Sequence, residues 1–148
     1  MRSTEIEMTD TAFTLGSEWI LKTMVAMAKA DGDLDRDEVD LIQRLYRDHA
    51  KEDVETDEIE RIAEDDIRSD FYASLAQAGK RLDEHSKEEI VRCAYLVLLA
   101  DGEIAGAERK TLQEIAAALK IPEIHFGAIL EDLSIWMAAQ RAAGKAAI

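Results

Sequence analysis

Met24-Val25-Ala26-Met27-Ala28-Lys29-Ala30-Asp31-Gly32-Asp33-Leu34-Asp35-Arg36-Asp37-Glu38 is the stretch on which the fold turns. An apolar run closes on Ala-Asp-Gly and an acidic run opens the next segment. Gly directly after a helix takes the left-handed conformation that ends it, which most residues adopt only at a cost. Leu34 then turns toward the core. Asp35 is a good N-cap, and Glu38 three residues later completes a capping-box pattern. The same text returns at Val97-Leu98-Leu99-Ala100-Asp101-Gly102-Glu103-Ile104-Ala105-Gly106-Ala107-Glu108.

Outward from these junctions the chain reads as an internal duplication. At a constant offset of 70, Ile20 matches Ile90, Ala30 matches Ala100, Glu38 matches Glu108, Ile42 matches Leu112, Gln43 matches Gln113 and Leu45 matches Ile115. Beyond that the register slips, and Glu58-Ile59 aligns with Glu123-Ile124; an extra acidic loop at Lys51 to Glu55 accounts for the slip. The first helix of each unit, about Thr11 to Ala30 and Lys87 to Ala100, is apolar on nearly every face near its end. Such a helix is expected to be buried all round, so the two form the central pair. The second helices are amphipathic, with stripes Leu41, Ile42, Leu45, Tyr46 and Leu112, Ile115, Ala116, Leu119. Third helices follow from Thr56, read as an N-cap, to about Arg68, and from Pro122, read as a first helical position, to about Leu133. A short helix with Phe71, Leu75 and Leu82 links the units. Ser86 with Glu89 reads as the capping box of the second central helix, and Ser134 to Ala143 as a last helix anchored by Trp136. The fold class is therefore all-α, a bundle of about seven helices. It forms one domain over 1–148, with units at about 11–68 and 83–133 and a C-terminal helix at about 134–143.

Composition agrees. The chain has 148 residues, 47% of them apolar, with one Pro and seven Gly, too little punctuation for a many-stranded sheet. A single cysteine, Cys93, excludes an internal disulfide and suits a reducing compartment. The start is polar and acidic, unlike a secretory signal, and the apolar run Cys93 to Ala100 is short of the roughly 20 residues that span a membrane. A cytoplasmic location with no membrane insertion is expected. The formal charge of −14 repels phosphate backbones and anionic lipid, so nucleic acid is not expected as a partner. Cations and basic proteins remain.

The candidate site is carboxylate-rich: Asp31, Asp33, Asp35 and Glu38 at one junction, Asp101, Glu103 and Glu108 at the other. The spacing Asp-Gly-x-Leu/Ile-x-x-x-Glu is the second half of an EF-hand calcium loop. The first half is missing, because its ligand positions hold Met27 and Lys29 in one copy and Val97 and Leu99 in the other. Neither junction alone supplies the six to eight oxygens calcium takes. Two units related by a pseudo-twofold would bring both junctions to one end and let their carboxylates share a cation. Hard oxygen ligands select Ca²⁺, Mg²⁺ or Mn²⁺ over zinc or copper, and the fold itself requires no cofactor. Helix capping and solubility explain the same residues without a metal. The acidic run from Lys51 to Asp70 reads as a solvated helix face, with docking of basic partners as the alternative.

A buried helix ending in Ala-Asp-Gly-acidic-Leu/Ile, followed by an acidic residue opening an amphipathic helix, twice over, resembles the TerB-like (tellurite-resistance) family from about Thr11 to Leu133. The resemblance implies an all-helical, metal-responsive bacterial scaffold of tellurite-resistance and stress systems, for which a divalent cation is the cofactor to expect; that it is not an enzyme is expected from the residues themselves. The resemblance also implies a protein partner, basic or belonging to a membrane-associated stress system, since the same domain type forms the cytoplasmic region of the membrane-anchored co-chaperone DjlA. This chain departs from an even pattern at Ala105 and Ala107, which leave fewer carboxylates at the second junction. It also lacks the His-Pro-Asp of a J-domain, so any chaperone role is indirect.

Enzymatic signatures are not evident. The three histidines, His49, His85 and His125, are scattered along the sequence. No Glu-x-x-His, His-Glu-x-x-His, Gly-rich phosphate loop or nucleophile elbow occurs. Cys93 on the buried central helix reads as a core residue rather than a nucleophile.

Overall fold

The computed structural model describes residues 4–29, 34–64, 70–99 and 106–144, with side chains described from Leu15 in the first helix and from Arg109 in the sixth. Among these residues seven helices follow one another: α1 Thr4–Lys29, α2 Arg36–Ala50, α3 Thr56–Glu64, α4 Phe71–Gly79, α5 Glu84–Leu99, α6 Gly106–Ala118 and α7 Glu123–Ala142. The all-α expectation holds. None of the described helices is long and apolar enough to cross a membrane.

α1 and α5 form the centre, and their contact is the most extensive in the molecule. α2 and α3 pack on α1 and on each other, while α6 and α7 pack on α5 and on each other; α4 lies against α6 and α1. Ile20, Met24, Ile42, Ile59, Leu75, Ile90, Leu112, Ile115 and Leu119 are fully buried where these elements meet. Each such side chain contributes about 1.5–3 kcal/mol by leaving water.

The direction of the central pair follows from contacts along it. A methyl group at Gly16 would lie 2.7 Å from Ser86 Oγ, so the middle of α1 meets the first turn of α5. From that crossing both helices run about 20 Å, at 1.5 Å per residue, to Lys29 and Leu99. The neighbours agree. α2 turns back from Leu34 and ends where His49 faces Glu89 near the start of α5, at 3.8 Å. α3 climbs again, so that Lys29 Nζ donates to the Ala63 carbonyl. α6 returns to Leu119 beside Gly79, just ahead of α5. α1 and α5 are therefore parallel, and both finish at the same end of the bundle.

Several boundaries differ from the sequence reading. α1 begins at Thr4 and not near Thr11. α5 begins at Glu84, and its cap is Asp83, whose Oδ1 accepts from Ser86 N at 2.8 Å. Those hydrogen bonds to Ser86 hold the Asp83 carboxyl below its ordinary value. Ser86 is thus an inner position, buried against Gly16. Thr56 is already helical: the Glu55 carbonyl accepts from Glu58 N and Ile59 N, and Thr56 Oγ1 accepts from Gln43 Nε2. Pro122 is the N-cap of α7 in extended conformation, not its first helical residue. The two C-terminal helices expected to meet at Ser134 are one, because Phe126, Ile129, Leu133 and Met137 continue the buried stripe through that point without a change of phase. Trp136 does not anchor it; the indole is 43% exposed, and Leu133 and Met137 hold the helix down. α3 is described from Thr56 to Glu64; the end expected near Arg68 lies outside the described residues, as does Ile67.

Candidate functional site

Of the seven junction carboxylates, Asp35 and Glu38 are described. Asp31, Asp33, Asp101 and Glu103 lie outside the described residues, as does the side chain of Glu108, although its backbone belongs to α6. Asp35 stands just before α2 at φ −92°, ψ 173°, the extended geometry of an N-cap. Its Oδ1 accepts from Glu38 N at 2.7 Å, and Glu38 Oε1 accepts from Asp35 N at 3.1 Å. The capping box expected from the sequence is complete. Leu34 packs against the core immediately before it. Asp35 is exposed and Glu38 half-buried, so both border solvent at the end where α1 stops.

Because α1 and α5 are parallel, the described residues flanking both junctions, Lys29 and Leu34 on one side and Leu99 and Gly106 on the other, lie at one end of the bundle. Among the described residues no group of three or more His, Cys, Asp or Glu side chains is placed to hold a metal ion.

The opposite end holds an arrangement that sequence reasoning missed. The histidines are not scattered in space but gather around the first turns of α5. Glu88 Oε1 meets His125 Nε2 from α7 at 2.7 Å, and Glu89 Oε2 faces His49 Nδ1 from α2 at 3.8 Å. His85 is near enough to oppose a second positive charge at His49. Burial, more than His85 and Lys51, lowers the His49 pKa, and Glu89 works against that shift. Adjacent Glu88 and Glu89 on α5 were the only local signal; their partners come from separate helices. Cys93 on the same helix is buried, and desolvation pushes its thiol up to about 12, which leaves it protonated and inert.

The acidic stretch after α2 is mostly solvated, with Glu52, Asp53, Glu55, Asp57, Glu60 and Glu64 exposed. Arg47 Nε holds Asp53 Oδ1 at 2.5 Å and Arg61 pairs with Glu58.

An acidic, all-helical domain built on two parallel central helices is the class these features define. The family described as Tellurite resistance protein TerB matches residues 18–131, which is more than half of the chain. The chain belongs to the TerB family. No curated protein and no solved structure matches it.

Proposed function

We propose that this TerB-family protein acts in a bacterial stress response without catalysing a reaction, and binds a divalent cation through carboxylates of its two Asp-Gly junctions. The common direction of α1 and α5 supports the reading, because it gives the two acidic segments a shared end from which to assemble one ligand set. A hard ion, Ca²⁺, Mg²⁺ or Mn²⁺, suits a donor set made only of Asp and Glu oxygens. Asp35 and Glu38 fit that role chemically. Each is held by a backbone N–H within the capping box, which fixes its carboxylate at the junction.

The test is thermal unfolding of EDTA-stripped protein with each ion in turn. At about a hundred times its Kd, a bound cation adds about 2.7 kcal/mol, a rise of several degrees at this chain length. The rise is expected for one hard cation and is expected to vanish in the Glu38→Gln, Glu108→Gln double variant. Gln preserves the capping-box hydrogen bond, so the variant keeps its ion-free stability. An unchanged melting temperature with every ion would return the junctions to helix caps alone.

A second reading, capture of a basic partner by the acidic face of α3, is favoured by the exposure of Glu60 and Glu64 beside the exposed Asp57. Charge reversal at Glu60 and Glu64 would abolish that capture and leave cation binding intact.

A further inference from the structure

α5 was expected to be buried on every side, and it is not. Glu89, Arg92, Leu96 and Leu99 are only partly buried, and their spacing of three and four residues makes one continuous stripe along the helix. Glu89, Arg92 and Leu96 of that stripe form the floor of a crevice of about 270 Å³. Leu45, Asp48 and His49 of α2 form one wall, and Leu133 and Trp136 of α7 form the other.

We infer that this crevice is a docking site for an amphipathic, basic helical segment of another protein. Three features of the crevice point to that occupant. Leu45, Leu96, Leu133 and Trp136 line it with apolar surface, and Trp136 is itself 43% exposed, an aromatic left at the surface of the kind that marks contact sites. It also carries two carboxylates, Asp48 and Glu89, beside Arg92 and His49. The whole chain carries −14, so a second copy is repelled and a cationic segment is attracted. Finally, Arg92 Nε is buried and makes no hydrogen bond among the described residues. Its closest carboxylate oxygen, Glu89 Oε1, stands off at 3.9 Å. At that separation, and with Oε2 3.8 Å from His49 Nδ1, Glu89 makes no hydrogen bond to either and can accept one from an incoming Lys or Arg. The segment would seat one large apolar side chain among Leu45, Leu96, Leu133 and Trp136 and extend a Lys or Arg toward Asp48 and Glu89. This is the helix-in-groove mode of recognition. It depends on neither the cation reading nor the α3 face.

The probe is a short synthetic peptide of Leu and Lys at helical spacing, with a Glu-for-Lys twin, titrated against the intact protein by fluorescence anisotropy of a labelled peptide. The Lys peptide is expected to bind and its Glu twin not to. Binding should weaken about tenfold or more both in Trp136→Ala, which leaves the core untouched, and in Asp48→Asn with Glu89→Gln. The Glu60→Lys, Glu64→Lys protein should bind as the parent does. Circular dichroism of each variant reports whether the helices persist. Absence of binding, equal binding of the two peptides, indifference to Trp136→Ala, or loss confined to the Glu60, Glu64 variant would each overturn the proposal, the last by moving the contact to α3.

Discussion

The connection after α2 and the connection after α6 begin alike and are completed differently. Each starts with a lysine in the left-handed region, Lys51 at φ 61° and Lys120 at φ 59°. At Lys51 a single bond, from its N–H to the Arg47 carbonyl at 2.9 Å, closes the helix, and the loop is then braced by side chains: Gln43 Nε2 donates to the Val54 carbonyl at 3.0 Å and Arg47 holds Asp53. At Lys120 the backbone does nearly everything. Lys120 N donates to the Ala117 carbonyl and Ile121 N to the Ala116 carbonyl, at 3.0 and 2.9 Å, the paired bonds of a Schellman motif with Ile121 and Ala116 buried beside each other. A closure made by the backbone and one apolar residue needs no polar loop, so α7 starts at once and runs as a single helix. A closure made by side chains sustains a longer acidic loop before α3 begins at Thr56. The two connections divide their upkeep differently between polar and apolar groups.

Four changes sharpen or break that comparison. The largest concerns the frame itself. Ile20→Ala in α1 and Ile90→Ala in α5, both fully buried, should each cost about 2–5 kcal/mol in urea unfolding. A marked inequality would mean that one central helix carries the fold more than the other. Next is the crossing of that pair. Gly16→Ala sets a methyl against Ser86 and should destabilise by about 1–3 kcal/mol, with Ser86→Gly recovering about 1 kcal/mol of it in a double-mutant cycle. Additive effects would break the parallel register inferred here. Smaller are the closures: Lys51→Gly and Lys120→Gly should each raise stability by about 0.5–1 kcal/mol, since glycine takes the left-handed region without the side-chain penalty. A gain at one site only would show that the other closure is held by more than its backbone conformation. The smallest is a pH effect. His49 has a folded pKa below its ordinary 6.5, so its contribution is fully present above that value and declines as pH falls through it toward the depressed folded value. The urea midpoint should drop between about pH 7.5 and pH 5.5, and His49→Gln should lose that part of the slope.

What could be read from the sequence was what local chemistry decides. The Asp35–Glu38 box, the two amphipathic stripes and the all-round apolar ends of the central helices are short-range patterns, and each leads to its element. The errors came where distant residues decide. Ser86 and Glu89 match a capping box on paper, but Asp83 stands three residues earlier, and Gly16 across the interface takes Ser86 inside. Ser134 suggested a helix start, while the stripe from Phe126 to Met137 overrode it. The histidine–glutamate contacts join residues from three helices and leave no trace in local spacing. Of the candidate site, Asp35 and Glu38 were legible because they also cap a helix; the other five carboxylates lie outside the described residues.

Parallel central helices have a consequence during synthesis. α1 buries Ile20, Met24 and Val25 in a core that includes Ile90 and Val91, which are translated some 70 residues later. At the roughly 5–20 residues per second of a ribosome, that apolar face waits about 4–14 s for its partner. Until α5 has cleared the exit tunnel, the nascent first half is a client for whatever in the cell shields exposed hydrophobic helices.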